Sequence, residues 1–172
     1  IGTGSGSIAI SIAKNIPNAK VYALDISKEA IAVAKENATL NNVQIRFIEA
    51  NILNWQDGFK SWNLEYKDLK FDLIVSNPPY VRELEKQKMN ANVIKHEPHL
   101  ALFVEDEDSL LFYRNITQFA SQFLNTKGQL FFEINEYLGK EIVNLFHEEG
   151  FKEIEIKLDI FGKDRMIKGV KL

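Results

Sequence analysis

Two hydrophobic periods alternate along the chain. Residues 7–15 carry apolar side chains at helical spacing, with Ile8, Ile12, Ala13 and Ile16 on or beside one stripe, and Pro17-Asn18 stops the run. Val21-Tyr22-Ala23-Leu24 is a short unbroken apolar run, the pattern of a buried parallel strand. Ser27 stands as an N-cap, and Ile31, Ala34 and Ala38 predict a second helix ending at Asn41-Asn42. Ala30 occupies the acid position of a capping box, which is therefore incomplete. Residues 45–48 predict the next strand, and a polar loop with aromatic residues covers 51–69. Residues 71–76 form the clearest buried strand of the pattern. It runs into Asn77-Pro78-Pro79-Tyr80, where two prolines forbid further ladder or helix.

Residues 81–109 are polar and lack a period, which marks a long loop of the kind that carries function. Residues 110–124 predict a helix with Phe112, Ile116, Phe119 and Phe123 toward the core. Lys127-Gly128 turns into a strand over 129–134, and a helix over 138–149 ends at Gly150. Strands over 152–158 and 166–172 finish the chain, joined by a turn around Gly162. Repeated strand–helix alternation predicts one α/β domain spanning 1–172, with a mainly parallel sheet and helices on both faces. The last two strands have only a turn between them and should pair antiparallel.

Composition narrows the function. The apolar fraction of 45% and charged fraction of 26% are those of a soluble globular domain. A net charge of -3 supplies no basic field for long-range attraction of nucleic acid, so no stable nucleic-acid binding is expected. No apolar stretch approaches the roughly 20 residues of a membrane span, so no membrane contact is expected. Cysteine is absent, which excludes disulfides and thiolate metal sites. With no targeting segment visible, the expected location is the cytoplasm. The chain opens on Ile1-Gly2-Thr3-Gly4, inside a glycine loop that a strand should precede, so the sequence reads as a fragment. The central position of the sheet would then be empty, and such a fragment alone is expected to fold poorly.

Gly2-Thr3-Gly4-Ser5-Gly6 leads into the first helix. Glycines let backbone approach a ligand closely, and a helix N-terminus favours negative charge. A dinucleotide loop would place its third glycine at Ser7; here it is Gly6, the G-x-G-x-G spacing of S-adenosylmethionine enzymes. An ordinary strand-to-helix turn is the plain alternative. Asp25, with Ile26 beside it, ends the second strand about 20 residues on, where an acid can hold ribose hydroxyls. Its plain alternative is a charge at a helix N-terminus. Asn51 and Ile52 end the third strand at the same edge and are candidates for holding adenine; a turn residue and a core residue are equally good readings.

Asn77-Pro78-Pro79-Tyr80 is the most specific feature, expected in the same crevice as the cofactor. An amide nitrogen is a poor nucleophile because its lone pair is delocalised. Hydrogen bonds from its two N–H groups to acceptors off the amide plane make it better. The Asn77 side-chain oxygen and the Pro78 carbonyl are candidate acceptors, and proline stiffens its own carbonyl without adding a donor. Tyr80 can lie against a flat substrate group.

With these motifs the chain resembles the HemK/PrmC family of protein-(glutamine-N5) methyltransferases. The resemblance extends through Phe71-Asp72-Leu73-Ile74-Val75-Ser76, His96-Glu97-Pro98, Ala101-Leu102, Phe112-Tyr113-Arg114, Phe131-Phe132-Glu133-Ile134 and Gly162-Lys163-Asp164-Arg165. It implies a Rossmann-like class I S-adenosylmethionine-dependent methyltransferase domain, α/β, mainly parallel with an antiparallel final strand. The family's first strand and small helical N-terminal domain are absent from this sequence. The resemblance implies that Gly2, Thr3, Gly4, Ser5, Gly6, Asp25, Ile26, Asn51, Ile52 and Asn77 bind S-adenosylmethionine. Asn77, Pro78, Pro79, Tyr80 and Glu97 would hold the substrate, with Asn77, Pro78 and Tyr80 catalytic. The implied partner is a class I peptide-chain release factor, methylated by a monomeric enzyme at its Gly-Gly-Gln glutamine. Two alternatives stay open: a ribosomal-protein glutamine, and adenine N6 of RNA or DNA, whose enzymes share the four-residue motif. The chain departs from the family at Asn51, where Asp is frequent, at Ile52, aromatic in some relatives, and at Ser109 and Asn135.

Other polar residues carry less. His96 and Glu97 have no third ligand nearby in sequence, so no metal is expected. Glu97 is read as ordering the loop beside Asn77. His99 and His147 read as surface residues. The acidic run from Glu105 to Asp108 is a solvated turn before a helix or a contact for a basic partner. Glu133 ends an internal strand and can face the crevice. Arg165 is expected to pair with an acid near the final hairpin.

Overall fold

The computed structural model describes residues 1–56, 69–79, 81–82, 103–104 and 108–172. It divides into two compact units, Ile1–Lys67 and Asp68–Leu172.

The first unit is built on one crossover. Helix α1 (Ser7–Asn15) leads to β1 (Tyr22–Asp25), α2 (Lys28–Leu40), β2 (Arg46–Glu49) and a 3-10 turn (Ile52–Asn54). β1 and β2 are parallel, paired from Tyr22↔Arg46 to Asp25↔Glu49. As expected, Ser27 caps α2, its hydroxyl accepting from the Ala30 N–H at 3.1 Å. Ile31, Ala34 and Ala38 are the residues α2 buries.

The second unit holds β3 (Phe71–Ser76), β4 (Val81–Arg82), β5 (Phe103–Val104), α3 (Leu111–Phe123), β6 (Leu124–Glu133), α4 (Gly139–Glu148), β7 (Phe151–Leu158) and β8 (Asp164–Lys171). The main sheet has the order β3-β6-β8-β7, and β4 pairs with β5. β3 and β6 are parallel, whereas β8 runs antiparallel to both β6 and β7. The final strand is thus antiparallel, as the turn at Gly162 required, and it is inserted between its neighbours. The fold is α/β, with a mixed sheet, parallel between β3 and β6 and antiparallel at β8.

One face of this sheet packs on α3 and α4 through a chain of rings. Tyr113 meets Phe132 edge-on at 5.2 Å, Phe132 lies 5.8 Å from Phe146, and Phe146 lies 5.2 Å from Phe151. Leu130, Ile134, Ile142 and Ile167 complete this core. Gly169 has no side chain because Phe146 lies over β8; a Cβ there would sit 2.5 Å from Phe146 Cδ2.

Three expectations need correction. β3 is not the most buried strand: Asp72 and Leu73 are exposed and only Ile74 and Ser76 are buried. Among the described strands it pairs laterally with β6 alone. The buried stripe of α3 centres on Tyr113, Ile116, Thr117 and Ala120, with Phe119 also buried. Phe112 and Phe123 are half-buried at its margins. β6 begins at Leu124, which bridges Phe71 before a bulge around Lys127; the regular ladder starts at Gln129.

Candidate active site

The glycine loop of the first unit is held from several sides. Thr3 N–H donates to the Leu24 carbonyl at 3.0 Å and Gly6 N–H to the Thr3 carbonyl at 2.9 Å. Gly4 N–H donates to Asp25 Oδ2 at 2.8 Å, and Asn37 Nδ2 donates to the Ser5 carbonyl at 2.9 Å. Asn37 is a helix residue whose role no sequence period announces. Gly2, Gly4 and Gly6 have φ of 66°, 53° and 86°, the left-handed region. Gly4 and Gly6 do different work there. A Cβ on Gly6 would meet Ala34 Cβ at 3.1 Å and Ile10 Cδ1 at 3.2 Å, so this glycine lets α1 and α2 close. A Cβ on Gly4 would meet nothing within 4 Å, so the loop is open to a ligand at that point. α1 begins at Gly6 with no side-chain cap and no acid in its first turn, leaving its positive end available.

Asp25 uses one acceptor site on each oxygen: Oδ2 for Gly4 and Oδ1 for the Ser27 N–H at 3.0 Å. A carboxylate has about four such sites, which leaves room for two ribose hydroxyls. Ala50 N–H donates to the Asp25 carbonyl at 2.9 Å and brings Asn51 to this edge. Asn51 Oδ1 accepts from the Leu53 N–H at 2.9 Å as the cap of the 3-10 turn, so any contact to adenine falls to its amide nitrogen. Ile52 is buried, the position of a core residue, while Ile26 next to Asp25 is 61% exposed and offers the apolar face. The open Gly4, the remaining acceptor sites of Asp25 and the exposed Ile26 fit a nucleoside-bearing cofactor.

In the second unit β3 passes from buried Ser76 to exposed Asn77, then to buried Pro78 and half-buried Pro79. Tyr80, His96, Glu97, His99, Glu105, Asp106 and Glu107 lie outside the described residues. Ser76 pairs with Phe132, so one step further Asn77 comes level with Glu133. Phe132 faces Tyr113 and Phe146, so alternation turns the half-buried Glu133 to the opposite face.

Phe112-Tyr113-Arg114 explains itself structurally. Tyr113 is fully buried; its hydroxyl donates to the Glu133 carbonyl and accepts the Asn135 N–H, both at 3.3 Å. It clamps the end of β6 beside Asn77. Asn135 Oδ1 in turn accepts from the Tyr137 N–H at 3.0 Å. Arg114 grips Asp108 with two nitrogens at 2.8 and 3.0 Å, fixing the turn before α3. That hydrogen-bonded guanidinium holds the Asp108 carboxyl below its ordinary range. Sequence reasoning weighed this phrase as a family mark and missed the clamp; Tyr113's place on the α3 stripe was the available signal. Arg165 pairs with Asp159 at 3.0 Å, as expected, and His147 is exposed. Among the described residues there is no metal-binding cluster and no helix long and apolar enough to cross a membrane.

Comparison with known proteins shows the family and the fold. The family model for the methyltransferase small domain matches residues 1–102. The chain is 58% identical over 168 residues to a release factor glutamine methyltransferase of Flavobacterium psychrophilum, covering 98% of this chain and 56% of that protein. It is 45% identical to the protein of the same description from Bacteroides thetaiotaomicron, covering 97% and 57%. The chain therefore spans little more than half the length of these relatives. A methyltransferase from Pyrococcus furiosus has a similar fold, with a TM-score of 0.66 at 19% identity, covering 99% of this chain and 72% of that one.

Proposed function

We propose that this chain, which belongs to the methyltransferase small domain family, is the catalytic part of an S-adenosylmethionine-dependent protein-(glutamine-N5) methyltransferase. The substrate in this reading is the Gly-Gly-Gln glutamine of class I peptide-chain release factors. The observation that carries it is the end of β3, where a fully buried serine gives way to an exposed Asn77 followed by a buried proline. The identity to release factor glutamine methyltransferases supports glutamine over other planar amines. The enzyme is read as a cytoplasmic monomer.

Gly4 and the N-terminus of α1 would hold the cofactor's amino-acid end, Asp25 its ribose, and Ile26 with Asn51 its adenine. When bound, S-adenosylmethionine supplies an electrophilic methyl group on a sulfonium. Asn77 Oδ1 and the Pro78 carbonyl would accept the two N–H groups of the glutamine amide and leave its nitrogen lone pair free for methyl transfer. Pro78 is buried, so its carbonyl is fixed before substrate arrives. Tyr80 would lie against the amide plane. The amide nitrogen, cationic once it carries the methyl group, would be strongly acidic and release its proton without a strong base, leaving the neutral N-methylamide.

The test uses the full-length protein with radiolabelled cofactor. Substrates are its release factor, the same factor with the acceptor glutamine changed to alanine, and RNA in parallel. Label on the wild-type factor alone, lost in Asn77→Ala, is the expected result. Label on RNA and none on the factor would move the assignment to adenine N6.

A further inference from the structure

The turn between β7 and β8 holds its shape tightly and displays apolar side chains. Asp159 Oδ1 accepts the Phe161 N–H at 2.8 Å and the Lys163 N–H at 3.1 Å, while Oδ2 accepts Arg165 Nη2 at 3.0 Å. The backbone closes the same turn, Asp159 N–H to the Lys163 carbonyl at 2.8 Å and Gly162 N–H to the Asp159 carbonyl at 3.0 Å. Lys163 Nζ reaches Glu136 Oε2 at 2.7 Å and ties the tip to the segment after β6. On this rigid frame Ile160 is 92% exposed and Phe161 80%, and Tyr137, next to Glu136, is 61% exposed. Turn tips are ordinarily polar, and a single exposed apolar residue needs no explanation. Adjacent large side chains held out by a network of this kind are a different case.

The sheet register says where the tip stands. β8 is antiparallel to β6, with Glu133 opposite Met166 and the Ile134 N–H donating to the Arg165 carbonyl at 2.9 Å. The tip therefore extends past the carboxyl end of β6, the same edge at which β3 delivers Asn77. In the order β3-β6-β8, two strand spacings, about 10 Å, separate them sideways, and the tip stands roughly 15 Å further along the strand direction, five residues past Met166. An extended peptide at roughly 3.3 Å per residue spans the combined distance in about five to six residues.

We propose that Ile160 and Phe161, with Tyr137, form a docking surface for the protein that carries the methyl acceptor, gripping an apolar part of it that flanks the glutamine. The proposal rests on the activity proposed above. The chemistry of the contact is apolar: Lys163 and Arg165 at the tip are already paired with Glu136 and Asp159. Because Asp159 fixes the turn before binding, little conformational entropy is lost when the partner covers it.

The double variant Ile160→Ser/Phe161→Ser of the full-length protein tests this. Methylation would be measured on the intact release factor and on a five-residue peptide centred on the glutamine, with cofactor affinity by calorimetry and the melting temperature alongside. The expected result is a KM for the intact factor raised about tenfold or more. The kcat at saturation, the peptide reaction, cofactor affinity and melting temperature should be unchanged. An unchanged KM on the intact factor overturns the docking surface alone. A lower melting temperature with unchanged KM means that the protein's own chain covers the tip, and loss of a dimer in sedimentation means that a second copy does; either overturns it. Wild-type enzyme inactive on the release factor refutes the proposed activity itself, and this surface with it.

Discussion

Gly4 and Gly6 share a left-handed backbone but differ in what surrounds them, so alanine at each should fail differently. At Gly6, φ of +86° costs an alanine about 1–2 kcal/mol. Its Cβ would also press on Ala34 Cβ at 3.1 Å and Ile10 Cδ1 at 3.2 Å, in a helix contact with no slack because Ala34 is fully buried. Overpacking of this kind costs about 1–3 kcal/mol, for a total of about 2–5 kcal/mol. Gly6→Ala should lower the melting temperature of the full-length protein by on the order of 10 °C. At Gly4 the backbone cost is similar, but no atom lies within 4 Å of the new methyl. Stability should fall by about 1–2 kcal/mol only. The methyl instead enters the space assigned to the cofactor, and the Kd for S-adenosylhomocysteine should rise roughly tenfold or more. Differential scanning calorimetry and titration calorimetry on both variants separate the two effects. A Gly4→Ala protein that binds cofactor with unchanged affinity would refute the reading of this loop as a cofactor cradle.

Three further outcomes follow from the second unit. Tyr113→Phe removes the hydroxyl that serves both the Glu133 carbonyl and the Asn135 N–H in a fully buried position. It should cost about 1–3 kcal/mol in urea unfolding, and a loss under a few tenths would show that the clamp is not needed. On the proposed reading, the Glu133 carboxylate, level with Asn77 by register, would accept from the Asn77 amide nitrogen and keep its oxygen toward substrate. Glu133→Gln should lower kcat about tenfold with cofactor affinity unchanged, and an unaltered kcat contradicts this placement. Asp108, ordinarily near 3.8, is held lower by Arg114, so its contribution is present above that value and is lost as pH falls through the lowered one. Both partners are more than a third exposed, so the pair is worth under about 1 kcal/mol. The stability difference between wild type and Asp108→Asn should vanish on acidification below that range; a difference that persists there would show that the pair is not its source.

What could be read in the sequence were features whose cause is local. Ser27 caps α2 through its own hydroxyl, the prolines after Ser76 end β3 by geometry, and Gly162 turns the final hairpin. Features decided by a distant neighbour were misread. Leu111-Phe112-Tyr113 presents consecutive apolar side chains, and only Phe132 on β6 selects Tyr113 as the buried one. The burial of β3 depends on which strands flank it, which its own residues do not encode. Gly6 matched a cofactor pattern, yet its lack of a side chain is explained by Ala34 on α2. Asn37 reaches Ser5 from 32 residues away with no period to announce it. For Ile52 the sequence left adenine contact and a core position equally open; the residue is buried, and Ile26 at the end of β1 is the exposed apolar side chain.

On the proposed reading the Asn77–Pro79 segment would hold a planar nitrogen with two N–H groups, and that demand is the same for glutamine and for adenine. Discrimination therefore has to come from residues around it. A nucleic-acid substrate would need cations free to track phosphates at this edge of the sheet. The cations that the β7–β8 turn brings there, Lys163 and Arg165, are each committed to an acid, and the chain's net charge is -3. Among the described residues this turn and the segment after β6 present Ile160, Phe161 and Tyr137, side chains that gain by covering apolar surface and gain nothing from a phosphate. On the proposed reading, Asn77 to Pro79 share their sheet edge with a turn that suits a polypeptide, and changing that turn should change which substrate is methylated.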